Sequence, residues 1–147
     1  MEIDIKKILD DYDRKNYATN VGTDMHIRLG QIEIDGDYTR GDDDLIQKIM
    51  STPELPPLFS RAAQREIPIA GIINNRFISR RIDRMLINHT TQVIWILDYK
   101  TDTDKNTNRT KYIAQLHEYT SLIRQIYPKY RIYRLILWTH DWTLEHI

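Results

Sequence analysis

Val93-Ile94-Trp95-Ile96-Leu97-Asp98-Tyr99-Lys100 is the stretch on which the fold turns. Its first five residues are all apolar, so both alternating faces of an extended chain need cover, and a strand of that kind sits centrally in a sheet. Where the apolar run stops, Asp98 and Lys100 stand two residues apart and leave the strand on one face. Two further strand-like runs precede it, Arg65 to Ala70 and Phe77 to Ile87, punctuated by Gly71, Asn74-Asn75 and Asn88 to Thr91. Three strands in succession predict an antiparallel meander. After a polar loop, Tyr112, Ile113, Leu116, Tyr119, Ile123 and Ile126 recur at helical spacing, predicting a helix over 109–127 that ends before Pro128. A last strand is expected over 132–138.

Toward the N-terminus, residues 2–16 read as a helix with Ile3, Ile5, Ile8, Leu9 and Tyr12 on its apolar side, and a second helical stretch is expected from Thr23 to Ile32. Three aspartates at Asp42, Asp43 and Asp44 suit the N-terminus of another helix reaching Met50, and Pro53, Pro56 and Pro57 then break the chain. The expected class is α/β, a mixed sheet of about four strands flanked by helices. A chain of 147 residues with 41% hydrophobic and 29% charged side chains suits one domain spanning 1–147, with a helical leader (1–60) and an αβ core (61–147).

No apolar run approaches the roughly 18 residues that cross a bilayer, and the acidic, amphipathic opening does not read as an export signal. The expectation is a cytoplasmic protein away from membranes. With no cysteine, disulfides, thiolate zinc sites and iron–sulfur clusters are excluded, so a metal would rest on carboxylate, imidazole, carbonyl and water. The formal charge is zero but uneven: residues 1–60 carry 7 Lys/Arg against 13 Asp/Glu, and residues 61–134 carry 14 against 6. A basic later section is compatible with a face that follows a phosphate backbone.

Asp98 and Lys100 emerge where a buried strand runs out of apolar residues, and Asp83 lies near the end of the neighbouring strand. Two carboxylates brought to about 4 Å repel by about 4 kcal/mol at an effective dielectric near 20. A divalent cation turns that repulsion into affinity. Taken singly, each residue has an ordinary reading. A strand-terminal Asp-x-Lys is commonly a solvated ion pair, and Asp83 between Arg81 and Arg84 a surface salt-bridge partner. His26 is by default a partly buried histidine, and Gln115 with Tyr119 the polar edge of a helix. Their joint order changes the balance.

Gly22-Thr23-Asp24-Met25-His26, Arg65-Glu66-Ile67-Pro68, Ile82-Asp83-Arg84, Leu97-Asp98-Tyr99-Lys100-Thr101 and Gln115-Leu116-His117-Glu118-Tyr119 follow one another along the chain. In that order they resemble the five motifs of the RecB-like branch of the PD-(D/E)xK nuclease superfamily. Within it they are most similar to the AddA-type nuclease domains, whose closing strand Leu135-Ile136-Leu137-Trp138-Thr139 also resembles. The resemblance implies a restriction-endonuclease-like core and a Mg²⁺- or Mn²⁺-dependent deoxyribonuclease. Such an enzyme would hydrolyse phosphodiesters at single-stranded ends in double-strand break processing and recombination, alongside a helicase or an AddB-like subunit.

It further implies that His26, Asp83, Asp98 and the Tyr99 carbonyl hold the metal and that Lys100 assists the attacking water. Glu66, Arg81, Arg84, Gln115 and Tyr119 would support the site or contact DNA. The family usually has glycine two residues before its first Asp, where this chain has Arg81. That departure motivates the alternative, a nuclease-fold module that binds DNA or a partner without cutting. No Walker-type glycine-rich loop is present, so the chain carries no motor of its own.

Overall fold

The computed structural model describes residues 4–147, without the side chains at positions 8 and 10–21. Among the described residues the order is α1 (Ile5–Gly30), β1 (Glu33–Asp35), β2 (Tyr38–Arg40), α2 (Asp43–Met50), a 3-10 turn (Pro56–Phe59), β3 (Gln64–Ile73), β4 (Arg76–Asn88), β5 (Val93–Lys100), α3 (Lys105–Ile126), β6 (Arg131–Trp138) and β7 (Thr143–His146). The protein is of the α/β class, with strands β3-β4-β5-β6-β7 in one mixed sheet. β3, β4 and β5 form the antiparallel meander, and β6 returns parallel to β5 after the α3 crossover. The 93–100 strand is therefore the middle one of five.

Several expectations need correction. The sheet gains a fifth strand, β7, antiparallel to β6, and β1 pairs with β2 in a separate hairpin turned through Gly36 at φ 61°. The leader is thus not wholly helical. The two expected N-terminal helices are one, started by Asp4, whose carboxylate accepts the Lys7 amide hydrogen at 3.1 Å. Of the apolar side proposed for residues 2–16, Ile5 and Leu9 are exposed; Ile3, and the side chains of Ile8 and Tyr12, lie outside the described residues. Gly71 lies inside β3 rather than ending it. A Cβ there would meet Leu122 and Gln125 at 2.8 Å, so the glycine lets the end of α3 lie close on the sheet.

Asp42 caps α2 by accepting from the Leu45 amide at 3.0 Å and also binds Arg28 of α1 at 2.8 Å, tying two helices together. The sheet separates two apolar cores. On one side Leu97, Tyr99, Leu135 and Leu137 pack against α1, α2 and the 3-10 turn; on the other Ile94, Ile96, Ile136 and Trp138 pack against α3. Strict alternation along β5 and β6 produces this division. No helix among the described residues is long and apolar enough to cross a membrane.

Candidate active site

The β4–β5 ladder runs from Asn88↔Val93 to Arg84↔Leu97 and stops. One step further, Asp83 and Asp98 stand opposite each other where the strands part. The amide hydrogen of Tyr99, which a backbone carbonyl of β4 would otherwise accept, goes instead to Asp83 Oδ2 at 2.8 Å. The N–H and C=O of one strand residue point to the same neighbour. The Tyr99 carbonyl therefore also faces this opening.

A second irregularity aims Asp83. Ile82 belongs to the core under α3, yet Arg84, of the same parity, turns to the other side, where it contacts Leu29, Ile32 and Phe59. The side-chain phase of β4 thus reverses at Asp83. Opposite it on β3, Glu66 has left-handed backbone, φ 51°, and there the phase reverses too: Arg65 bonds the Gly30 carbonyl of α1, whereas Ile67 packs toward α3. Four consecutive β4 residues, Ile82 to Met85, are consequently buried.

His26 reaches Asp83 from α1. Its Nδ1 donates to the Gly22 carbonyl at 2.8 Å and leaves Nε2 facing Asp83 Oδ2 at 3.4 Å. Gly22 is small for a reason: a Cβ would come within 3.2 Å of Thr101 Oγ1, just beyond β5. The hydrogen bond to Asp83 raises the His26 pKa to about 9, against burial, which lowers it.

Lys100 Nζ lies 2.8 Å from Asp98 Oδ2, both side chains largely buried. The ammonium is thus the charge partner of this buried oxygen. Burial raises the Asp98 pKa to about 7; Lys100 opposes the rise and nearby Asp83 adds to it. Lys100 itself donates to Gln115 Oε1 at 3.1 Å and sits 4.1 Å from the Tyr112 ring centre. Tyr112 is pinned in turn by its hydroxyl on Asp102, at 2.8 and 2.9 Å.

The remaining candidates divide. Tyr119 donates to the Arg81 carbonyl at 3.1 Å, bracing β4 from α3. Arg81 and Glu66 form an exposed pair at 3.5 Å beside the site. Arg84 is a buried support of the site: only 2% exposed, it donates to Tyr99 Oη and to the Leu29 and Ile32 carbonyls at 2.8–2.9 Å and holds the C-terminal end of α1 to the sheet. Its flanking position at Asp83 gave no sign of this, because the phase reversal turns it inward. Tyr112 and Asp102 were not singled out for this position. The signal was available in Tyr112 standing three residues before Gln115, on the same helix face.

Among the described residues no three His, Asp or Glu side chains are arranged to cage a metal ion. Instead each carboxylate is balanced by a cation of the chain, Asp83 by His26 and Asp98 by Lys100. The donor types still fit a hard divalent ion. Mg²⁺ commonly takes one or two carboxylates and keeps several waters, and Asp98 Oδ2, met by the Lys100 amine, keeps lone pairs for such an ion.

Two open grooves reach the cationic partners of these carboxylates, His26 and Lys100. One, of about 820 Å³, is lined on the α1 side by Gly22, His26, Arg65, Glu66 and Arg81. The other, about 470 Å³, lies on the α3 side between Arg80, Lys100, Lys111, Tyr112, Gln115 and Glu118. No protein-family model matches the sequence, and no curated protein matches it.

Proposed function

We propose that this chain is a Mg²⁺- or Mn²⁺-dependent nuclease domain that hydrolyses phosphodiester bonds of single-stranded DNA, with the restriction-endonuclease-like core its motifs resemble. One observation carries the reading: Asp83 and Asp98 meet across two strands that part there, with Lys100 against one carboxylate and His26 against the other. Buried like charges are costly, and a divalent cation between the two carboxylates would offset that cost.

Asp83, Asp98, His26 through Nε2 and the Tyr99 carbonyl would hold the ion. Bound there, a divalent cation supplies positive charge to the phosphate and acidifies a water. Lys100, steadied by Gln115 and Tyr112, directs its amine at the same point, where it orients the attacking water or balances charge growing on the phosphate. The His26–Gly22 hydrogen bond fixes which imidazole nitrogen faces the carboxylates. A role in break processing beside a helicase or AddB-like subunit belongs to the same reading.

A labelled single-stranded oligonucleotide with Mg²⁺ or Mn²⁺ tests it. Wild type is expected to cut, and Asp98→Ala to lose about 10³-fold or more, Lys100→Ala about 10²-fold or more. Equal, metal-independent inactivity of all three removes catalysis from the account. A second reading, a nuclease-fold module that binds without cutting, draws on Arg81 and on the internal balancing of both carboxylates; it expects DNA affinity indifferent to divalent metal.

A further inference from the structure

Arg80 and Arg81 are consecutive on β4, so their side chains leave opposite faces of the strand. Arg80 lines the groove on the α3 side and Arg81 the groove on the α1 side. On the wall of one groove stands His26, whose Nε2 faces Asp83, and on the wall of the other Lys100, whose amine meets Asp98; both carboxylates are recessed, 8% and 4% exposed. Both grooves are positive in a chain of zero net charge: Arg80, Lys100 and Lys111 against Glu118 on one side, Arg65 and Arg81 against Glu66 on the other.

We infer that the two grooves are one path for a single nucleic-acid strand, with Arg80 and Arg81 each engaging a phosphate on either side of the one presented to Asp83 and Asp98. This rests on the nuclease reading for the identity of the central phosphate. The path itself rests on the placement of charge. Arg80 is 3.1 Å from Glu118 and Arg81 3.5 Å from Glu66, both in exposed pairs. Pairs of that kind contribute little, so a phosphate can take over each guanidinium and release the carboxylate to water. A flexible single strand can lower one phosphate to the recessed carboxylates while its neighbours stay on the groove walls; a duplex, being stiff, bends only at a cost. The bond cut then lies at least one phosphate in from either end of the strand.

The test is binding of a fluorescein-labelled oligothymidylate to the full chain by anisotropy across a salt series, with Ca²⁺ in place of Mg²⁺. Each phosphate contact on a single strand contributes about 0.7 to the slope of log K against log salt. Arg80→Gln and Arg81→Gln are each expected to lower the slope by about that amount, and the double variant by about twice as much. Glu118→Gln, which frees Arg80, is expected to tighten binding, and Arg131→Gln, on an exposed arginine at the start of β6, to leave it unchanged.

If only one arginine moves the slope, or neither does, or if wild type does not bind, the two-sided path is wrong. Cleavage of the same oligonucleotide with Mn²⁺ is scored separately. Slopes that fall as stated without any cutting keep the path and remove the nuclease reading, whereas cutting with unmoved slopes does the reverse.

Discussion

The two ends of the β4–β5 pair are built from neighbouring residues and do opposite things. From Asn88↔Val93 to Arg84↔Leu97 the strands stay in register, and Ile94, Ile96 and Leu97 are fully buried between helical layers. One residue later the ladder ends, and the side chains that face each other are Asp83 and Asp98. In the paired end β4 and β5 keep one unbroken register and apolar contact stabilises the fold. In the parted end a carboxylate replaces a backbone acceptor, at Tyr99, and burial works against the charged groups. The fold therefore concentrates unfavourable electrostatics at one point of an otherwise well-paired strand, next to the grooves by which a ligand would enter.

Substitutions at the two ends should differ in sign. Ile96→Ala opens a cavity in the paired end and is expected to cost about 2–5 kcal/mol in urea unfolding, with Mn²⁺ affinity retained. Asp98→Asn removes a buried charge from the parted end and is expected to raise the stability of the metal-free protein above pH 7 by about 1–2 kcal/mol. Destabilisation by both would mean that Asp98 is an ordinary structural ion pair and that the contrast between the ends is false.

A smaller effect appears in the pH dependence. Asp98, raised from 3.8 to about 7, keeps its proton in the folded state across that interval, so its contribution to stability is present at low pH and lost as pH rises through 7. His26, raised from 6.5 to about 9, contributes fully below 6.5 and loses its contribution as pH rises through 9. Melting temperature of the metal-free protein should fall from about pH 5 to pH 9. Asp98→Asn should flatten the lower part of that fall and His26→Gln the upper part. Because bound metal needs both groups deprotonated, stabilisation by Mn²⁺ should grow over the same range. A melting temperature that climbs with pH contradicts both signs.

The contrast also explains how much could be read in advance. Val93 to Leu97 announced the central strand because apolar residues at consecutive positions admit few other placements, and α3 was legible from six apolar residues at regular spacing. β7 was not: Thr143-Leu144-Glu145-His146 is short and mostly polar, and it becomes a strand because β6 offers it an edge. The continuity of α1 is not legible in the sequence, because Asn16, Thr19, Asn20, Gly22 and Thr23 are weak helix formers by propensity.

In the site, Asp98 and Lys100 shared a face by simple alternation. Asp83 followed no such rule, because its direction depends on the paired reversal at Glu66 and Asp83, and a left-handed glutamate has no glycine to mark it. The inward turn of Arg84 has the same cause. Strand order alone puts Asp83 near Asp98, and only the ordered motifs, taken together, add His26 to that pair.

The most direct measurement is calorimetric titration of Mn²⁺ into the metal-free chain and into Asp83→Ala. Saturable binding by wild type that releases protons below pH 9, and its loss in the variant, is the expected result. A wild type that takes up no Mn²⁺, or a variant that binds it equally well, would mean that the parted end of β4 and β5 is not a place for a cation.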